Sequence, residues 1–133
     1  DSTFTFVGVP ASVTFHFEED GTVTRATHHQ GQNAPMEKVV ADTITVETLA
    51  EYEGRYYCEE LETMYTLKLV DGKLMAHNRW VDAFPFTHVK NEAFAGGEWF
   101  LSSITFDRDP SGTVTGFMGG NTRTRNVWFE RMK

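Results

Sequence analysis

Apolar and polar residues alternate along almost the whole chain, with the period of two that a half-buried strand imposes on its side chains. In "VTFHF" the residues Val13, Phe15 and Phe17 fall on one face, with Thr14 and His16 on the other. In "MYTLKLV", Tyr65, Leu67 and Leu69 alternate with Thr66, Lys68 and Val70. Helical period is almost absent. Turns punctuate the strands at Asp20-Gly21, at Asp71-Gly72 and in "DPSG" ending at Gly112, where glycine accepts the positive φ of a tight hairpin. From Gly54 onward the runs "GRYYCEELE", "MYTLKLV", "KLMAHNRW", "AFPFTHV", "EAFAG", "WFLSSITFDR", "TVTGFMG" and "RNVWFERM" predict about eight strands, spaced about 8 to 12 residues apart, as in a sandwich or barrel. Ahead of them, "FTFV" (residues 4–7) and the pair "VTFHF" and "TVTRATHH" predict an N-terminal β-hairpin region.

One short helical signal interrupts this pattern. In "TLAEYEG", Thr48 is placed to cap a helix with Glu51 three residues later, and Gly54 to stop it, which predicts about one turn. Upstream, residues 32–45 change composition and contain Pro35, and they predict a connection between two regions. The expected division is residues 1–45 as N-terminal strands, either the tail of a preceding β-unit or packed on the main body, and residues 46–133 as that body.

Two stretches resemble each other: "VTFHFEEDGTVT" at residues 13–24 and "ITFDRDPSGTVT" at residues 104–115. Aligned without a gap they match at Thr14/Thr105, Phe15/Phe106, Gly21/Gly112, Thr22/Thr113, Val23/Val114 and Thr24/Thr115. The small vocabulary of hairpins accounts for the shared Gly, Thr and Val. It does not account for "TF" standing six residues before each glycine, so duplication is the preferred reading. The second copy closes a unit that begins near Leu49. The first would then close a unit whose front half is missing, and the chain reads as a cut from a longer protein.

Composition narrows the function classes. The 133 residues, 40% hydrophobic and 14% aromatic, suffice for one packed core. A formal charge of −7 argues against a nucleic-acid surface, which needs clustered Lys and Arg. The one basic cluster, Arg123, Arg125, Arg131 and Lys133, is small enough to be a solvated hairpin edge. A single cysteine, Cys58, excludes an internal disulfide and a Cys-rich zinc site. No apolar run is long enough for a helical membrane span, and "DSTFTFVGVP" does not read as a signal peptide.

Candidate chemistry is sparse. His16, His28 and His29 fall in one predicted hairpin, but neighbouring residues of a strand point to opposite faces, and zinc needs three or four converging ligands. His77 and His88 stand alone. The acids Glu18, Glu19, Asp20 and Asp107, Asp109 sit at turns, where solvation keeps a carboxyl from acting as a catalytic acid. No cofactor or metal is called for. The aromatics remain: an eight-stranded barrel is either filled by side chains or holds one small molecule. A filled core is the preferred expectation; if there is a ligand pocket, its candidates are Tyr56, Tyr65, Trp80, Phe86, Trp99 and Trp128, with Trp80 and Trp99 at its mouth.

The ordered pattern "LAEYEGRYYCEELETMYTLKLVDGKLMA", "FTHVKNEAFAGGE", "ITFDRDPSGTVTGF" and "VWFERM" resembles the lipocalin-like β-domain found C-terminal to the catalytic domain in many β-lactamase-related serine hydrolases, the CubicO-type enzymes with the D-aminopeptidases as relatives. It is carried by Leu49, Tyr52, Gly54, Tyr56, Asp71, Gly72, Lys73, Leu74, Phe94, Phe106, Asp109, Gly112, Val114, Phe129 and Arg131. The resemblance covers residues 49–133, and more weakly the first forty. It implies an all-β antiparallel lipocalin-like barrel and a non-catalytic accessory role. The partner implied is the catalytic domain of the same polypeptide, or another protomer, in the periplasm or outside the cell. The S-x-x-K of such hydrolases is absent, since the residues three before Lys38, Lys68, Lys73, Lys90 and Lys133 are Pro35, Tyr65, Val70, Thr87 and Glu130. "HQG" at residues 29–31 has the form of a later motif of that family, but without the nucleophile it carries no chemistry. The alternative function is a free-standing barrel that carries a small apolar ligand.

Overall fold

The computed structural model describes residues 1–40, 42–121 and 123–133, and the chain forms two compact units, Asp1–Val40 and Ala41–Lys133. Ala41, inside the predicted connection, lies outside the described residues.

The second unit is a closed antiparallel barrel of eight strands: β5 (Gly54–Cys58), β6 (Thr63–Val70), β7 (Lys73–Asn78), β8 (Val81–Lys90), β9 (Ala93–Glu98), β10 (Leu101–Arg108), β11 (Val114–Gly120) and β12 (Val127–Arg131). Each strand pairs with the next in sequence, and β12 returns to β5 through Glu130 with Tyr57 and Arg131 with Tyr56. The alternation read from the sequence sends one set of side chains inward. Tyr56, Leu67, Ala76, Phe84, Phe86, Phe94, Ile104, Phe106, Phe117 and Phe129 are all buried. Each large apolar side chain so buried contributes about 1.5 to 3 kcal/mol, and the rings add edge-to-face contacts, such as Phe94 with Phe106 at 5.2 Å between centroids.

One end of the barrel is covered by a helix, α1 (Val46–Ala50), and the buried side chains of Leu49 and Tyr52 that accompany it. The cap is Thr45 rather than Thr48: Thr45 has the extended backbone an N-cap needs, and its Oγ1 accepts the Thr48 N–H at 3.2 Å. Glu51 therefore lies past the last helical turn, and its carboxylate is used elsewhere. Gly54 does end the segment, at φ +150°, where a Cβ would come within 3.0 Å of Arg131 Nε.

The N-terminal unit is a four-stranded antiparallel sheet in the order β1 (Ser2–Thr5), β2 (Ser12–Phe17), β3 (Val23–Gln30), β4 (Gln32–Glu37). The strand β4 replaces the first part of the connection expected over residues 32–45. Proline marked that stretch as non-strand, yet Pro35 stands opposite Thr27 in regular register, because β4 is an edge strand where a missing N–H is tolerated.

The two look-alike hairpins have the same backbone. The Glu18 N–H donates to Thr22 O at 2.8 Å and the Gly21 N–H to Glu18 O at 3.0 Å. In the second hairpin the Asp109 N–H donates to Thr113 O at 3.0 Å and the Gly112 N–H to Asp109 O at 2.9 Å. Gly21 and Gly112 supply the same positive φ, +82° and +87°.

Candidate functional site

At the helix-covered end, polar side chains hold the plug in place. The Tyr52 hydroxyl donates to Glu92 Oε2 at 2.8 Å, and Arg108 Nε donates to the other oxygen of the same carboxylate at 2.8 Å. Arg108 Nη1 donates to Glu51 Oε2 at 2.6 Å and to Gly112 O at 2.7 Å, while its guanidinium lies over the Tyr52 ring, 5.1 Å from the centroid. Helix, β8–β9 turn and β10 are thus joined by one arginine. Every group in the set has a partner, and together they form a clasp that fastens the helical plug to β10 and the β8–β9 turn.

Inside, the Tyr56 hydroxyl donates to Tyr52 O at 2.8 Å. Burial pushes its phenol up to about 12, and burial raises Tyr52 and Tyr65 in the same direction. Because the folded value of Tyr56 lies above the ordinary phenol value of 10.0, folding favours the neutral phenol. The stabilisation is complete below pH 10 and is lost as the pH climbs through about 12. A rise of that size corresponds to roughly 3 kcal/mol. Urea midpoints measured from pH 8 to 12 are expected to fall across the upper part of that range, and to fall less in Tyr56→Phe. A midpoint that does not move between pH 10 and 12 contradicts this.

The six aromatics expected around a pocket do not converge. Tyr56, Tyr65 and Phe86 belong to the packed interior, where Tyr65 meets Phe84 at 6.0 Å and Phe129 at 5.6 Å, and Phe86 meets Phe117 at 5.8 Å. Trp80 and Trp99 stand at the β7–β8 and β9–β10 turns, at the end opposite the helix, 75% and 77% exposed. Arg79 lies over the Trp80 ring at 4.4 Å. Trp128 is on the outer wall, paired with Met118 and half-buried. Of the six, Tyr56, Tyr65 and Phe86 thus lie in the packed interior, Trp80 and Trp99 at exposed turns and Trp128 on the outer wall.

The outer wall carries residues not singled out from sequence. Tyr57 stands opposite Met64 on one side and Glu130 on the other, so the exposed Tyr57, Met64, Met118 and Met132 lie with Trp128 across β11, β12, β5 and β6. Two grooves flank Tyr57. One, of about 640 Å³, is lined by Glu59, Glu60, Trp128, Glu130 and Met132; the other, of about 510 Å³, by Met64, Thr66, His77 and Trp80. The signal was in the alternation: Tyr56 and Tyr57 are adjacent in a strand, so one of them had to face out.

The remaining candidates are accounted for locally. The Asp109 carboxylate is held below its usual range by hydrogen bonds from Ser111 and the Thr113 backbone, and Asp20 by Thr22, so these acids are ionised turn-formers. On the N-terminal sheet, His16 Nε2 contacts Thr27 Oγ1 at 2.8 Å and His29 Nε2 contacts Thr14 Oγ1 at 2.9 Å, while His28 faces the other side against Phe6. His88 lies against two carbonyls, of Asp42 and Asn91. Among the described residues no group of three or more His, Cys, Asp or Glu is placed to hold a metal ion, and no helix is long and apolar enough to cross a membrane. No protein-family model matches the chain, and no curated protein matches it.

Proposed function

We propose that the chain is an accessory, non-catalytic domain of a larger β-lactamase-related serine hydrolase, and that the wall around Tyr57, Met64, Trp128 and Met132 meets the catalytic domain of the same polypeptide. The observation that carries this reading is the distribution of apolar groups. Aromatic rings fill the interior, while Tyr57, Met64, Met118 and Met132 stay accessible beside Trp128 on one wall, with an acidic fringe of Glu59, Glu60 and Glu130. Contiguous exposed apolar surface marks contact with another protein. The resemblance supplies the identity of that protein. Its motif residues serve the barrel's architecture: Asp71-Gly72 and Asp109 with Gly112 make turns, and Gly54 gives room to Arg131, which donates to Val114 O at 3.3 Å and also to Glu53 O. A carrier of a small apolar ligand is less well supported, because the space it needs is occupied by rings.

The test compares the full-length gene product with the 133-residue chain. S-x-x-K in the polypeptide ahead of Asp1 and hydrolysis of ester or D-amino-amide substrates by the full-length protein alone are expected. Tyr57→Glu with Met64→Lys is expected to lower that activity or the thermal midpoint of the full-length protein while leaving the isolated barrel folded. Hydrolysis by the 133-residue chain, or a full-length protein without S-x-x-K, overturns the reading.

A further inference from the structure

Strand for strand, the N-terminal sheet repeats the second half of the barrel. β1 to β4 occupy the places of β9 to β12 in the same antiparallel order. In the central hairpin the register is identical: Phe15 with Ala26 beside Phe106 with Phe117, His16 with Arg25 beside Asp107 with Gly116, and Phe17 with Val23 beside Arg108 with Val114. The register shift falls at the same step, His16/Phe17 and Asp107/Arg108. On the outer strands Phe4 stands opposite Val13 as Phe94 stands opposite Ile104, and Met36 opposite Ala26 as Phe129 opposite Phe117.

The sheet face bearing Phe4, Val13, Phe15, Ala26 and Met36 is therefore the counterpart of a barrel interior. In the barrel, rings from β5–β8 cover it: Tyr56 and Phe86 both meet Phe106 and Phe117, and Tyr65 meets Phe129. Phe94 and Phe129 are 3% and 2% exposed; their counterparts Phe4 and Met36 are 63% and 48% exposed. The opposite face is a solvated one, with Thr3, Thr14, His29 and Asn33 linked in a chain of hydrogen bonds of 2.7 to 2.9 Å.

The shape of the apolar face says what fits it. Ala26 stands where the barrel has Phe117, and a groove of about 430 Å³ opens there, whose lining includes the apolar Phe15, Val23, Ala26 and Met36 beside the charged Arg25, Glu37 and Lys38. A second copy of the sheet would bring a second Ala26 and leave the gap unfilled. Strands of the β5–β8 kind, with large rings such as Tyr56, Phe84 and Phe86 on their inner face, would fill it. Among the described residues the outer edge of β4, the closing edge, pairs with no strand. β12 pairs with β5 through Glu130 and Arg131, whose counterparts Glu37 and Lys38 lie beyond Pro35 and its missing N–H.

We propose that Ser2–Glu37 is the C-terminal half of a second eight-stranded barrel, whose apolar face is covered by four antiparallel strands with bulky aromatic inner faces, contributed by polypeptide ahead of Asp1. This rests on the reading of the chain as part of a larger protein, and it specifies what adjoins it. Hydrogen exchange followed by mass spectrometry on the 133-residue chain and on the full-length protein tests it, with ANS fluorescence as a second readout. In the 133-residue chain, amides of β2–β3 are expected to exchange at least about a hundredfold faster than those of β10–β11, with ANS bound. In the full-length protein the two hairpins are expected to agree within about tenfold, and Phe15→Glu is expected to abolish protection of β2–β3 alone. Unprotected β2–β3 in the full-length protein overturns the proposal. So does sedimentation of the 133-residue chain as a dimer that protects β2–β3, which would make the covering element a second copy. Protection without S-x-x-K upstream sinks the hydrolase reading and keeps this one; S-x-x-K without protection does the reverse.

Discussion

Phe117→Ala is expected to lower the unfolding free energy of the barrel by about 3 to 5 kcal/mol, the range for deleting a buried ring. Phe117 has no exposed surface and stands where the aromatic contacts cross. It stacks on Phe129 with centroids 4.6 Å apart and planes at 17°, and meets the edges or faces of Tyr56, Phe86 and Phe106 at 5.2 to 5.8 Å. All four partners sit on strands fixed in a closed ladder, so they have little freedom to collapse into the space the ring leaves. Urea unfolding followed by near-ultraviolet circular dichroism measures the loss, and Phe117→Leu is expected to recover much of it. With total stabilities of about 5 to 15 kcal/mol for domains of this kind, the alanine variant approaches the threshold of unfolding. Trp99→Ala, at an exposed turn, is the contrast and is expected to stay within about 0.5 kcal/mol of the parent. A Phe117→Ala loss below about 1 kcal/mol would mean that the interior tolerates a void and is not close-packed.

The same contrast explains what was legible in the sequence. The eight strands from Gly54 onward could be read because alternation and turn chemistry agree there: Asp71-Gly72 and Gly112 fall between apolar runs of the right length. β4 could not, because Pro35 argues against a strand unless the strand is known to be an edge, and edges are set by tertiary pairing. The expected cap, Thr48, lies three residues past the observed one, Thr45, because both offer the same hydroxyl and the choice depends on where the backbone becomes extended. For the candidate site, counting aromatics found the core but not its direction. Alternation tells Tyr56 from Tyr57 and Trp128 from Phe129 only relative to one another, and it cannot be carried through the register shifts at Leu101/Ser103 and Asp107/Arg108. The clasp was out of reach for a different reason. Arg108 meets Glu51 and Glu92 across 57 and 16 positions, and no local pattern announces such a meeting.

Gly96→Val is expected to cost about 3 kcal/mol, at the upper end of what overpacking does, because the conflict is with backbone rather than with a side chain that can turn away. Gly96 pairs with Phe86 on β8, so β9 cannot retreat on that side. On the other, a Cβ would overlap the carbonyl oxygen of Leu101 and stand 3.0 Å from Ile104 Cδ1, where the β9–β10 register shifts between Leu101 and Ser103. The glycine is thus needed for close approach, as at many strand bulges, and not for an unusual φ. Gly112→Ala separates the two roles: φ there is +87° with open space around the missing Cβ, so only backbone strain is incurred, about 1 kcal/mol. At about 4 to 8 °C per kcal/mol for a unit of this size, Gly96→Val is expected to drop the thermal midpoint by roughly 12 to 24 °C and Gly112→Ala by about 4 to 8 °C. If the two variants melt together, crowding at the β9–β10 bulge is not what selects glycine at position 96.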